Sequence, residues 1–407
     1  MKDFNPEQAL SETRREFGEH GGVTPSISRS ATFTVMDPET MPEIFGGVRG
    51  PEEGGCFLYS RHFNPTVDIL ARYLSAMEGT EFAVCTASGM SAISCTLLQL
   101  CGSGDHIVSS NTVYGGTHAL MQELLPQFGI TTTFVDPTDP AAFEKAITPK
   151  TRVLYTETFG NPTLKIADIR ALSKLTKSRG LTLAVDNTFT PMMISPARLG
   201  ADVVVYSMTK YINGASDMVA GAICTTKAMI HRLMDLHTGR VMLLGPTMDP
   251  RMAFDIIQRL PHLAIRMREH SHRALAICRR LEELGVPVIY PGLASFGQHN
   301  LVSSMINKGF GYGGMFTIDC GTRERADDLL DILQNKEEFG YIAVSLGYFD
   351  TLMSCSGSST SSEISQEDQH QMGLSPGLIR FSIGYTGSLE KRIEQMERAV
   401  RAVGLAK

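Results

Sequence analysis

Lys210 closes the tetrapeptide Ser207-Met208-Thr209-Lys210, directly after the apolar run Ala201-Asp202-Val203-Val204-Val205-Tyr206. A β-branched run of this kind reads as a buried strand. Ligands of open α/β sheets gather where such strands end. A lysine there is a useful nucleophile once burial or a neighbouring cation lowers its pKa. The alternative is a solvent-facing lysine in a turn, with Gly214 closing that turn.

Four further motifs fall at the ends of expected strands. Ser88-Gly89-Met90 opens a helix, where unpaired N–H groups receive an anion. With the hydroxyls of Ser207 and Thr209 these residues make a phosphate cup; alone, they are an ordinary helix cap. Asp186-Asn187 ends the run Leu181-Thr182-Leu183-Ala184-Val185, and a carboxylate buried there needs a partner. A protonated ring nitrogen is one such partner; a backbone cap is another. Glu157-Thr158-Phe159-Gly160-Asn161-Pro162 follows Val153-Leu154-Tyr155, with Asn161 as a donor to a ring oxygen or simply part of a turn. Tyr114-Gly115-Gly116-Thr117 offers a phenol that can lie flat on a ring and act as acid or base. Converging on one sheet edge, the five sets point to pyridoxal phosphate (PLP) held as a Schiff base on Lys210.

Two arginines complete the constellation. Arg380 interrupts the strand-like Gly377-Leu378-Ile379-Arg380-Phe381-Ser382, and its planar fork suits an amino-acid carboxylate. Tyr59-Ser60-Arg61 lies outside the main alternation, so any phosphate contact from it crosses a subunit boundary.

The elements that must position these residues follow from periodicity. Residues 1–62 read as an arm: one helix over Asn5–Glu19, then Gly- and Pro-rich loop, including Gly46–Gly55. Residues 63–255 alternate strand and helix, which implies a mostly parallel sheet covered on both faces. Residues 256–407 form a smaller α+β unit with a long helix over Leu263–Leu284 and strands at Val288–Tyr290, Gly314–Asp319 and Ala343–Leu346. The Ser-rich stretch Ser354–His370 reads as a loop or an active-site cover.

Bulk properties narrow the classes. The 407 residues are 43% hydrophobic and 20% charged, enough for two or three domains. A net charge of -6 gives no basic patch for nucleic acid or a membrane surface. No apolar run spans a bilayer, and the first residues carry no signal-peptide segment. The eight cysteines form no C-x-x-C pair, which argues for reduced buried thiols in a cytoplasmic protein and against a metal site.

The set Tyr59-Ser60-Arg61, Asn64-Pro65-Thr66, Ser88-Gly89-Met90, Tyr114-Gly115-Gly116-Thr117, Asp186-Asn187-Thr188-Phe189 and Ser207-Met208-Thr209-Lys210-Tyr211 resembles the Cys/Met-metabolism PLP enzymes. The resemblance runs from about residue 15 to the end. It implies a fold-type I, aspartate aminotransferase-like α/β architecture and a homotetramer of active-site-sharing dimers. It also implies roles. Lys210 carries the cofactor and shuttles protons, Asp186 pairs with the ring nitrogen, and Tyr114 stacks on the ring. Gly89, Met90, Ser207 and Thr209 hold the phosphate, joined by Tyr59 and Arg61 of a neighbouring subunit. Asn161 lies near the ring oxygen, and Arg380 with Ser345 holds the substrate carboxylate.

Within the family, Arg266-Met267-Arg268-Glu269-His270-Ser271-His272-Arg273 and the stretch Ser345–Ser358 are similar to plant-type methionine γ-lyases. The implied reaction is α,γ-elimination of L-methionine to methanethiol, 2-oxobutanoate and ammonia. The alternative is γ-elimination or γ-replacement on cystathionine or a homoserine ester. Gly116, where bacterial methionine γ-lyases have cysteine, and Cys355-Ser356-Gly357-Ser358, where many members have His-Pro-Ala-Ser, are expected near the substrate side chain.

Overall fold

The computed structural model describes residues 4–45, 49–50, 57–355 and 375–406. Most of the expected Gly46–Gly55 loop, and Ser356 onward in the Ser-rich stretch, lie outside the described residues.

Seven strands form the larger sheet: β1 Phe82–Thr86, β2 His106–Ser110, β3 Thr131–Val135, β4 Thr151–Glu157, β5 Thr182–Asp186, β6 Val203–Ser207 and β7 Gly221–Thr225. Their spatial order is β1-β7-β6-β5-β4-β2-β3. Only β7 runs against the others, between β1 and β6. The remaining six therefore point the same way and end at one edge. Along the central strands neighbouring residues belong to different cores. Leu154, Leu183, Val185 and Val204 pack on one face, while Val153, Ala184, Val203 and Val205 pack on the other. Burial on both faces is why these strands read as unbroken apolar runs.

Five short strands form the second sheet: β8 Val288–Ile289, β9 Met315–Asp319, β10 Tyr341–Ile342, β11 Leu352–Cys355 and β12 Leu378–Ser382, in the order β10-β11-β12-β9-β8. Pairing is antiparallel except between β10 and β11. One face packs on the helices Leu263–Glu283 and Leu389–Ala402 through Ile318, Ile379, Phe381, Ile277 and Val400.

Helix ends follow local chemistry. Asn64 Oδ1 accepts the N–H groups of Thr66 and Val67 and starts Pro65–Glu78. Gly79, at φ 78°, closes that helix with a left-handed turn.

Two expectations fail. The N-terminal helix covers only Pro6–Thr13, because only Pro6 and Leu10 are buried and beyond Thr13 no apolar face offsets the ordering entropy. Residues 343–346 are not a strand. Ser345 takes φ 93°, which a strand cannot accommodate, and the flanking strands are β10 and β11 instead.

The seven described cysteines are buried. Among the described residues no helix is long and apolar enough to cross a membrane, and no His/Cys/Asp/Glu group could hold a metal ion.

Candidate active site

A cavity of about 380 Å³ opens at the common edge of β1, β2, β4, β5 and β6, and is closed on the far side by residues 344–346 and Arg380. It brings together Gly89, Met90, Tyr114, Asn161, Asp186, Ser207, Thr209, Lys210, Ser345 and Arg380. Tyr59 and Arg61 are not among its lining residues. The Arg61 guanidinium donates to Met242 O at 2.9 Å, sits 5.6 Å from the Tyr59 ring and lines a different cavity.

The Lys210 side chain enters from the turn after β6 and donates from Nζ to Ser345 Oγ at 2.8 Å. Burial, aided by the positive charge of Arg380, lowers its pKa to about 8. That places a neutral, nucleophilic amine within reach near neutral pH.

Asp186 ends β5 and Glu157 ends β4, opposite each other in register. Asp186 Oδ1 accepts the Thr188 N–H at 2.8 Å. Burial raises the Asp186 pKa to about 6, against the lowering effect of its Thr188 hydrogen bonds. Glu157 is pushed well above the usual carboxylate range by burial and then by Asp186. A cationic ring nitrogen at Asp186 would stabilise the charge that burial disfavours. Glu157 Oε1 also accepts the N–H of Tyr114 at 2.6 Å. That bond fixes the backbone of Tyr114, a residue that is 44% exposed and lines the cavity.

The phosphate cup has a close fit. Ser88 caps the helix Gly89–Leu100 in a reciprocal arrangement with Ser91. Gly89 and Met90 are thus the first helical residues, whose N–H groups have no intrahelical acceptor. A Cβ on Gly89 would lie 2.6 Å from Ser207 Cβ and 2.9 Å from its Cα. Only glycine lets the helix start approach the Ser207 hydroxyl so closely. Ser207 N–H donates to Thr188 Oγ1 at 2.8 Å, and Thr209 Oγ1 accepts the Ala220 N–H at 3.0 Å.

Arg380 sits mid-strand in β12 and is buried. Its guanidinium donates to Asn161 Oδ1 at 3.2 Å and to Ser345 O at 2.9 Å. Burial lowers its pKa to about 10, so it remains a cation at neutral pH. The φ of Ser345 lets one residue meet both basic side chains, Lys210 through Oγ and Arg380 through its carbonyl.

These groups fit pyridoxal phosphate: a glycine-lined helix start with hydroxyls, a buried carboxylate, a phenol on the wall and an amine of lowered pKa. The family comparison agrees. The Cys/Met metabolism PLP-dependent enzyme model matches residues 8–401. The chain belongs to this PLP-dependent family. It is 53% identical over 399 residues to a methionine gamma-lyase of Arabidopsis thaliana, covering 98% of this chain and 90% of the relative. It is 34% identical to a cystathionine gamma-lyase of Bacillus subtilis, covering 95% of this chain and 97% of that one. Among solved structures, one described as an O-acetylhomoserine (thiol)-lyase of Campylobacter jejuni superposes with a TM-score of 0.89 at 27% identity. The match covers 98% of this chain and all of that one, which carries N′-pyridoxyl-lysine-5′-monophosphate. The fold is fold-type I, and PLP is the cofactor of the family.

The sequence reading assigned no role to Glu157, although its motif was singled out. The available signal was a second carboxylate ending the strand beside Asp186. It quoted Thr188, Phe189 and Phe159 within motifs without giving them a role, and it did not single out Ile93, Val219, Val344 and Leu346, which complete the apolar wall. Of the two departures, Gly116 does abut the site. A Cβ there would lie 2.7 Å from Tyr114 Cε1 and 3.3 Å from Met90 Sδ. Cys355 does not line the PLP cavity. It ends β11 and lines a separate cavity with Arg323 and Asp327, because it pairs with Ile379 and shares that residue's core face rather than the face of Arg380. Ser356–Ser358 fall outside the described residues.

Proposed function

We propose that the protein catalyses α,γ-elimination of L-methionine, with water, to methanethiol, 2-oxobutanoate and ammonia. One observation carries the choice of side chain: among the described residues, the cavity lining contains no cation apart from Lys210 and Arg380, and its remaining wall is largely apolar. A thioether methyl suits such a wall, whereas the distal charge of cystathionine would be buried unpaired. The 53% identity to a methionine gamma-lyase supports the same reading.

When bound, PLP supplies an electrophilic carbonyl for the substrate amine and a protonated ring that accepts electrons from the α-carbon. The residue roles follow from position. Arg380 holds the α-carboxylate by a bidentate pair and orients the Cα–H bond. With the cofactor bound, Lys210 Nζ would remove the α-proton and return it in later steps. The Tyr114 hydroxyl delivers a proton to the departing γ-sulfur. Asp186 would hold the ring nitrogen protonated. Gly89, Met90, Ser207 and Thr209 would receive the phosphate, and the Asn161 amide would donate to the ring oxygen.

The same reading extends to assembly. Tyr59 and Arg61 complete the phosphate site of a neighbouring subunit in a cytoplasmic homotetramer. Support comes from the arm, residues 1–62, where Phe17, Val23 and Met36 are exposed by 68%, 89% and 91%. The divisions at residues 62/63 and 255/256 belong to this proposal.

Purified PLP-loaded enzyme incubated with L-methionine tests it. Methanethiol and 2-oxobutanoate should appear in equal amounts. Intact methionine beside rapid cleavage of cystathionine would sink the assignment in favour of the cystathionine reading.

A further inference from the structure

One motif of the sequence plays no part in the site described so far: residues 266–273 in the long helix Leu263–Glu283. Arg266 is buried, 6% exposed, and no carboxylate pairs with it among the described residues. Its guanidinium instead donates to Tyr211 O at 2.5 Å and Ile212 O at 2.9 Å. These are the carbonyls of the two residues that follow Lys210. A Cβ at Gly214 would lie 2.3 Å from Arg266 Nη1, so the glycine of that turn leaves room for the guanidinium.

One helical turn on, His270 is fully buried. Its Nδ1 lies 2.5 Å from Ile383 O. A carbonyl only accepts, so Nδ1 carries the proton. Burial lowers His270 to about 4, which keeps the ring neutral. Ile383 lies directly after β12, three residues past Arg380. The same face continues with Arg273, which donates to Thr386 O at 3.1 Å and Gly387 O at 2.8 Å. One rigid helix face thus grips the backbone beside Lys210 at one end and beyond Arg380 at the other.

We propose that Arg266 and His270 are positioning residues, which together set the separation between Lys210 and Arg380 and so match the site to the amine-to-carboxylate span of an α-amino acid. The inference rests on the reading that Arg380 holds the substrate carboxylate and that Lys210 marks the place where the substrate amine joins the cofactor. A buried cation without a carboxylate is a costly way to brace a turn. A two-pronged guanidinium bridging consecutive carbonyls is a geometry that lysine cannot reproduce.

The test uses PLP-loaded enzyme and glycine, an α-amino acid with no side chain to cleave. Glycine affinity is read from the visible absorption of the bound cofactor, and cofactor affinity from PLP titration of the stripped enzyme. Arg266→Lys and His270→Leu should weaken glycine binding about tenfold or more, with PLP affinity kept within about threefold, since neither residue touches Gly89, Met90, Ser207 or Thr209 of the phosphate cup. His270→Asn, whose amide stands where Nδ1 stood, should restore glycine affinity. Wild-type glycine affinity in Arg266→Lys overturns the inference, as does a loss of PLP affinity in step with that of glycine. Should His270→Leu fail to fold, Arg266→Lys decides alone, because it keeps the buried charge and stem. Wild-type enzyme that binds glycine yet leaves methionine intact removes the proposed reaction and not this inference.

Discussion

Two walls of one cavity are built differently. The first comes from five strands of one sheet that run the same way and end together, each handing over its next few residues: Ser88–Met90, Tyr114, Glu157–Asn161, Asp186 and Ser207–Lys210. The second comes from a mainly antiparallel sheet that supplies Arg380 from mid-strand and Ser345 from a loop of unusual φ. In the first wall the backbone topology does the gathering, so position along the chain predicts position in space. In the second, alternation along β12 sends Ile379 and Phe381 into the core and leaves Arg380 on the opposite face. That side chain then depends on partners from two other places, Asn161 and Ser345. The parallel wall should govern the cofactor, and the antiparallel wall the substrate.

The largest effect should come from Lys210→Ala. Turnover should fall at least about 10³-fold, because the variant loses both the attachment point and the proton carrier. The phosphate cup should still bind PLP, without the absorption shift of the wild type. Retained turnover would mean another base serves the reaction.

Arg380→Lys breaks the comparison on the other side. A point charge in place of the fork should reduce kcat/KM by about 10²-fold, with PLP affinity unchanged. A parallel loss of PLP affinity would show that the antiparallel wall also supports the cofactor. Gly89→Ala makes the converse change. Its Cβ would enter the space of Ser207, 2.6 Å from Cβ. Overpacking there should weaken PLP by about tenfold and cost about 1–3 kcal/mol of stability. Once saturated with PLP, the variant should regain most of its turnover.

The same contrast explains what was legible in the sequence. Strand ends in a parallel sheet are local signals, so Lys210, Asp186, Tyr114 and the Ser88–Met90 cup could be picked out one motif at a time. Arg380 was legible because a charge in an apolar run is conspicuous. Ser345 came only from family resemblance, and the surrounding residues were misread as a strand. Propensity favours β for Ala343–Leu346, but tertiary contacts to Lys210 and Arg380 hold Ser345 at φ 93°. Glu157 went without a role because its meaning depends on register with Asp186, a long-range fact that no window reports. The N-terminal helix was overextended for a related reason. Its pattern continues past Thr13, but the burial that would stabilise it does not.

The smallest effect concerns the pH dependence of the apoenzyme. Burial and then Arg380 lower Lys210 to about 8 in the fold, from an ordinary value of 10.5. Between those two values the unfolded chain holds a proton that the folded chain has released. Stability therefore rises with pH across that window for this group, and below it the folded state bears a desolvated cation. Lys210→Met removes this titration. The difference in unfolding free energy between wild type and Lys210→Met should therefore move in favour of wild type from pH 8 to pH 10, while the other titrating groups cancel. Urea melts of both apoproteins at those pH values measure it. A pH-independent difference would mean that Lys210 is solvated in the apoenzyme, and would move the source of its reactivity from burial to the bound cofactor.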